Sequence, residues 1–71
     1  MPDPELINFV RQRRRSADLT QQELADQIGV TRQTILSIEK GKYTPSVLLA
    51  LRLASVLNAS VEDLFQLEKG E

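Results

Sequence analysis

The 71-residue sequence predicts an all-α fold, a compact bundle of five short helices. One basis is a recurring pattern: a helix-capping residue, a short run of apolar side chains at helical spacing, and then a helix stop. Five such runs cover the chain, so no strand is expected. The other basis is length, because so short a chain buries only roughly 60% of its unfolded surface and cannot form a sandwich, a barrel or two domains. One domain is therefore expected over residues 1–71, with its core at about 5–66.

The first helix is expected to begin near Pro4, since proline suits an early helical position, and to end at about Ser16. Phe9 and Val10 supply part of its apolar face. The end of this helix is strongly basic, with the run RQRRR. These arginines complement the negative end of the helix dipole, and that role alone is sufficient to explain them.

The second helix is expected at about residues 21–28. Thr20 and Glu23 have the spacing of a capping box, in which each side chain accepts a hydrogen bond from the other residue's backbone N–H. Gly29 suits the left-handed conformation that ends a helix. The third helix then follows at about Thr31–Lys40, with the threonine as its N-cap.

The fourth helix is expected from Val47 to about Leu57, after the N-cap residue Ser46, and it is apolar nearly all round. The fifth helix is short, from Ser60 to about Phe65. Its first turn contains two acidic residues, which the positive end of a helix dipole favours.

The start of the third helix contains no such acid. Its first turn is Arg32-Gln33-Thr34, and the next acidic residue is Glu39. Unpaired backbone N–H groups and the positive end of the dipole would meet an arginine there, which is unfavourable in isolation. We therefore expect the complementary negative charge to belong to another molecule.

Composition excludes several classes of function. The sequence has no cysteine and no histidine, which removes disulfides, thiol catalysis, the usual zinc sites and the commonest general base. With no catalytic constellation either, we expect no enzyme, no cofactor and no metal site. No apolar run approaches the length of a membrane span, and the start MPDPE is unlike a signal peptide, so a cytoplasmic protein is expected.

The net charge of −1 does not by itself indicate a nucleic-acid binder, whose surface is usually basic. Residues 1–43 carry seven basic and six acidic side chains, and residues 44–71 carry two basic and four acidic ones. The charges of the two parts, +1 and −2, differ too little to decide the function. The function therefore has to be inferred from where individual charges lie in the sequence.

The second and third helices, joined by Gly29-Val30-Thr31, form a helix-turn-helix candidate. Ala25 provides the small side chain required where the two helices touch. The outward-facing residues share an ability to donate or accept hydrogen bonds. They are Gln21, Gln22, Thr31, Arg32, Gln33, Thr34 and Ser37. Each alone is typical of a solvated helix surface, but they cluster at one helix N-terminus, the part of this motif that enters the DNA major groove.

The stretch LTQQELADQIGVTRQTILSIEKGKYTPS, together with the later SVEDLF, resembles the phage-repressor-like helix-turn-helix family of Cro/C1 type, also called Xre-like. The resemblance covers about residues 5–66. It implies a DNA-binding domain of the lambda-repressor-like fold and a sequence-specific transcriptional regulator. The implied regulator is a repressor that binds a palindromic operator in double-stranded DNA as a homodimer.

The resemblance also implies roles for individual positions. Gln21 matches the residue that bonds a phosphate and supports the recognition helix, about Thr31–Lys40. Thr31, Arg32, Gln33 and Ser37 match positions that face base edges, and Lys40, Lys42 and Tyr43 match the phosphate-contacting exit from that helix. The chemistry fits, because arginine can pair with guanine and glutamine with adenine.

Two further expectations concern contacts within one subunit and between two subunits. Arg14 and Glu39 match positions that form a partly buried ion pair, although two independent surface charges would give the same sequence pattern. A homodimer is expected through the fourth and fifth helices and the tail QLEKGE. Its candidate interface residues are Leu48, Leu51, Val61 and Leu64. Scattered exposed leucines are also common on monomers.

A protein-interaction module of the same fold, such as an antitoxin that binds a toxin, is the alternative to a regulator. Antitoxins of this fold usually carry an added segment that wraps the toxin, whereas only about six residues follow Phe65 here. Enzymatic function is the weakest of the three possibilities.

Overall fold

A computed structural model describes residues 6–68 as five α-helices and two short β-strands. In chain order these are β1 (Leu6–Asn8), α1 (Val10–Ser16), α2 (Gln21–Ile28), α3 (Arg32–Glu39), α4 (Val47–Val56), α5 (Val61–Leu64) and β2 (Phe65–Leu67). The five predicted helices are confirmed, and the helical bundle gains a small two-stranded sheet.

The sheet corrects the prediction that the chain contains no strand. β1 pairs antiparallel with β2, with Leu6 opposite Leu67 and Asn8 opposite Phe65. The backbone N–H of Phe9 continues this pairing with a 2.8 Å hydrogen bond to the carbonyl of Leu64. The two ends of the described chain are thereby held side by side.

The pairing also corrects the start of the first helix. The predicted start at Pro4 lies outside the described residues, and Leu6–Asn8, predicted as helix, is extended. α1 begins only at Val10, where Phe9 is the N-cap residue and supplies no side-chain cap. A segment without a cap gains little from helix formation, whereas the strand pairing satisfies its backbone groups. The fifth helix likewise ends at Leu64, one residue earlier than predicted, because Phe65 joins the sheet.

Side-chain caps define where the other helices begin. Thr20 and Glu23 form the expected capping box at α2, with hydrogen bonds of 2.8 and 3.0 Å. Ser60 forms a second capping box at α5 with Asp63. Thr31 and Ser46 cap α3 and α4 by accepting a hydrogen bond from the backbone three residues later. Each cap satisfies a donor that the helix leaves free and typically stabilises by about 1 kcal/mol.

The core lies between α2, α3 and α4, with α1 and α5 closing its ends. Leu24, Ala25, Ile35 and Leu53 have no solvent exposure, and Ala25 provides the small side chain expected at the meeting of α2 and α3. Because the core fixes α3 on its inner side, the opposite side of α3 is held in one orientation.

Within residues 6–68, no helix combines the length and the apolar character needed to cross a bilayer. The same residues contain no grouping of carboxylates suited to hold a metal ion.

Candidate nucleic-acid interface

The turn between α2 and α3 depends on Gly29, whose φ of +78° lies in the left-handed region. Its N–H and that of Val30 both donate to the carbonyl of Ala25, at 2.9 and 3.0 Å. These two hydrogen bonds end α2 at Gly29, and Thr31, two residues later, is already the N-cap of α3. The rigid turn sets the direction of α3 relative to α2.

The N-terminus of α3 is polar and open to solvent. The Thr31 hydroxyl accepts the backbone N–H of Thr34 at 3.2 Å and lies 3.1 Å from the Thr34 hydroxyl. Arg32 and Gln33 are exposed, and neither side chain bonds to another described residue. As predicted, the first turn contains no acidic side chain. The helix start therefore presents unpaired donors and a positive charge outward.

A buried ion pair anchors the other end of α3. Nε of Arg14 donates to Glu39 Oε2 at 2.7 Å, and its Nη2 donates to Oε1 at 3.3 Å. Nη1 of the same arginine donates to the carbonyl of Leu19 at 2.8 Å. The two side chains retain 10% and 3% of their exposure. The free-energy cost of burying two charges to this degree is offset because they are paired and hydrogen-bonded.

Gln21 joins this network rather than projecting freely from α2. Its Nε2 donates to Glu39 Oε1 at 3.2 Å, which links the start of α2 to the end of α3. The half-buried side chain keeps one further N–H on Nε2. Gln22 is exposed but donates to Asp26 at 2.9 Å, one turn along α2.

The exit from α3 carries the remaining predicted contacts. Lys40, Lys42 and Tyr43 are all exposed, whereas Ser37 is half-buried. The backbone N–H of Lys42 returns to the carbonyl of Ser37 at 2.9 Å, and Gly41 takes a φ of +74° to permit this. Lys40 lies seven residues after Gln33, so the exit continues the side of α3 on which Gln33 is exposed.

The residues proposed for a dimer interface divide into three groups. Leu48 and Leu51 are exposed, at 59% and 54%, and Val61 is half-buried. Leu64 has no exposure and belongs to the core of the subunit, so its assignment to an interface is wrong. Part of the tail, residues 69–71, lies outside the described residues.

Several side-chain contacts and charges around α2 and α3 were not predicted. Asn8 donates to the carbonyl of Ile38 at 3.1 Å and so links the sheet to the end of α3, which no local pattern signals. Arg52 donates to the carbonyl of Ile28 at 3.4 Å, at the end of α2. Arg11 and Arg15 flank the buried Arg14 on α1, and their spacing of four residues was visible in the sequence.

Comparison with known proteins gives consistent results. A family model described as Helix-turn-helix matches residues 10–64. An uncharacterized HTH-type transcriptional regulator of Methanothermobacter thermautotrophicus is 49% identical over 62 residues, covering 86% of this chain and 90% of the relative. YgzD of Bacillus subtilis, with the same description, is 44% identical over 62 residues, covering 87% and 94%.

Two solved structures have a similar fold. The restriction-modification controller protein C.AhdI from Aeromonas hydrophila has a TM-score of 0.71 and 28% identity, over 76% of this chain and 78% of its own. The clp gene regulator ClgR from Corynebacterium glutamicum has a TM-score of 0.72 and 30% identity, over 76% of this chain and 57% of its own.

Proposed function

The chain belongs to the helix-turn-helix family of Cro/C1-type transcriptional regulators, and on this premise we propose that it is a repressor that binds a palindromic operator as a homodimer. In this proposal α3 enters the major groove of double-stranded DNA in the cytoplasm. The observation that carries the proposal is the N-terminus of α3, which is exposed, rich in hydrogen-bonding groups and free of acidic residues.

DNA supplies the negative charge that the start of α3 lacks. Phosphates and base acceptors provide the negative potential that the exposed N–H groups, the dipole and Arg32 favour. Arg32 can donate two hydrogen bonds to the N7 and O6 atoms of guanine, and Gln33 can pair with adenine. Lys40, Lys42 and Tyr43 at the helix exit then hold the DNA backbone and fix the register of these contacts.

The dimer proposal is supported by an apolar surface on α4. Val47, Leu48 and Leu51 are 77%, 59% and 54% exposed, and their spacing puts them on neighbouring turns of one helix face. Beside Val47 lies an apolar cavity of about 170 Å³ that reaches Leu6, Val61 and Phe65. Clustered apolar exposure of this kind indicates an interaction surface rather than ordinary scatter.

A second copy is the occupant that fits the proposed function. One recognition helix buries a modest interface, whereas two helices spaced about 34–36 Å apart read two half-sites. Symmetric pairing of the α4 surface would present two identical α3 helices to a palindrome.

Selection of bound sites from a random duplex library tests the DNA-binding proposal. The expected result is an enriched palindrome whose half-sites are one helical turn apart. Enrichment of a single half-site would contradict the homodimer, and no enrichment would contradict sequence-specific binding and favour the protein-interaction module.

Analytical ultracentrifugation tests the dimer surface separately. The Leu48→Glu/Leu51→Glu variant should sediment as a monomer, because four acidic side chains would face one another across a symmetric interface. Gln12→Glu/Ser16→Glu, at two exposed positions on α1, adds the same charge away from α4; it is the matched control and should leave the dimer intact. A double variant that still dimerises would move the interface away from α4.

A further inference from the structure

The basic run on α1 has a geometry that the dipole of the helix does not explain. Arg11 and Arg15 are exposed and lie four residues apart, so they project from one face of α1, beside the buried Arg14. They line an open cavity of about 350 Å³ between α1, α2 and α3. Its walls are formed by Arg11, Arg14, Arg15, Gln21, Leu36, Glu39 and Lys40.

The charges of this cavity are unbalanced. It contains four cationic side chains and one carboxylate, and Glu39 is already held by two bonds from Arg14 and one from Gln21. Arg11, Arg15 and Lys40 are therefore left without an acidic partner in the cavity wall. Like charges four residues apart on a helix destabilise it, so an anion in the cavity would relieve an existing repulsion.

The cavity is continuous with the proposed DNA surface. Positions 33, 36, 37 and 40 recur at helical spacing along one side of α3, and Leu36 and Lys40 of this series form a wall of the cavity. The cavity thus begins within about 10 Å of Gln33, measured along the helix. Gln21, which matches the phosphate-bonding position of the family, lies at the opposite edge of the cavity.

We propose that this cavity binds a phosphate of the DNA backbone, with Arg11 and Arg15 as ligands beyond the helix-turn-helix itself. The inference rests on the proposed function and extends the contact surface to α1. Arginine is suited to the role because its planar guanidinium donates two parallel hydrogen bonds to a phosphate. The paired state of Glu39 is part of the site, since it lessens the repulsion between that carboxylate and an incoming phosphate.

The salt dependence of DNA binding tests this proposal. Each phosphate contact contributes about 0.9 to the slope of log K against log salt concentration. A homodimer on its operator has two such cavities and hence two phosphate contacts, so the Arg11→Ala/Arg15→Ala double variant should lower the slope by about 1.8 and each single variant by less. Between 50 and 200 mM salt, the wild-type affinity should then fall about 12-fold more than that of the double variant.

Arg13→Ala is the matched control, because this residue lies on the same helix but on another face, 3.8 Å from Asp63. It removes the same charge and should leave the slope unchanged. Arg11→Lys/Arg15→Lys should restore the slope, and circular dichroism should show native helicity in every variant. Equal slopes for Arg13→Ala and the two test variants would overturn the phosphate site.

The two proposals fail in different ways. Wild-type protein that selects an operator, with a slope insensitive to Arg11 and Arg15, would refute the phosphate site and leave the proposed function standing. Wild-type protein that binds no duplex would refute both.

Discussion

Removal of Arg14 should destabilise the fold more than removal of any exposed charge. The Arg14→Met variant keeps much of the aliphatic volume but removes two of the three side-chain donors to Glu39. The remaining carboxylate is only 3% exposed. A buried charge left without its partner costs about 3–5 kcal/mol, whereas breaking an exposed ion pair costs at most about 1 kcal/mol.

This loss is large relative to the whole stability of the protein. A chain of this size has an unfolding free energy of about 4–11 kcal/mol, so Arg14→Met should lose a large part of it and unfold at a much lower urea concentration. Arg14→Lys should be intermediate, because an ammonium keeps the charge but cannot make the paired bonds to Glu39 together with the bond to Leu19.

A double-mutant cycle separates the ion pair from the packing of Arg14. Once Glu39→Gln has removed the charge, Arg14→Met should cost much less, and the coupling energy should lie near the top of the usual range of about 0.5–3 kcal/mol. Urea unfolding of the wild type, both single variants and the double variant gives this coupling. A coupling near zero, with less than about 1 kcal/mol lost in Arg14→Met, would refute a buried and energetically coupled pair.

Three other perturbations have defined outcomes. Gly29→Ala should lower the unfolding free energy by about 1–2 kcal/mol, because the φ of +78° strains any L side chain. The added Cβ itself finds room beside Arg52. An unchanged urea midpoint would contradict this. The pKa of Asp63 is lowered by hydrogen bonds from Ser60 and by Arg13, so its stabilisation is complete above the usual aspartate pKa of about 3.9 and is lost as the pH falls through the lowered value. Asp63→Asn should therefore flatten the decline of the melting temperature below about pH 4, and a decline as steep as that of the wild type would contradict the assignment. Lys42→Ala should weaken binding to every duplex and lower the salt slope by about 1.8, or about 0.9 for each subunit, whereas a loss confined to one sequence would indicate a base contact.

The sequence predicts those parts of the fold that local chemistry determines. The capping residues Thr20, Thr31, Ser46 and Ser60 each begin a helix where expected, because a cap requires only residues within one turn. Gly29 ends α2 for an equally local reason.

The errors arise where distant parts of the chain meet. Leu6–Asn8 forms a strand only because β2, almost sixty residues later, supplies its partner. Leu64 was assigned to an interface because the dimer was expected through the fifth helix, yet it has no solvent exposure and belongs to the core cluster. The donation from Asn8 to Ile38 depends on the same long-range contact and has no sequence signal.

The candidate site was more accessible to prediction than the sheet. The missing acid at the start of α3 is a property of consecutive residues, and the structure shows Arg32 and Gln33 exposed there. The run RQRRR was explained by the helix dipole alone, because its relation to Lys40 and Gln21 appears only when three helices are packed together.

The central claim is that the N-terminus of α3 reads base edges, and the affinity of Arg32→Ala for two duplexes tests it most directly. Dissociation constants would be measured at one salt concentration for the selected operator and for a scrambled duplex of equal length. A lost bidentate base contact costs about 1–3 kcal/mol, or roughly 5- to 150-fold, in each half-site of the operator and far less for the scrambled duplex. Equal losses on both duplexes would show that Arg32 contacts the backbone and would contradict the proposed reading of sequence by α3.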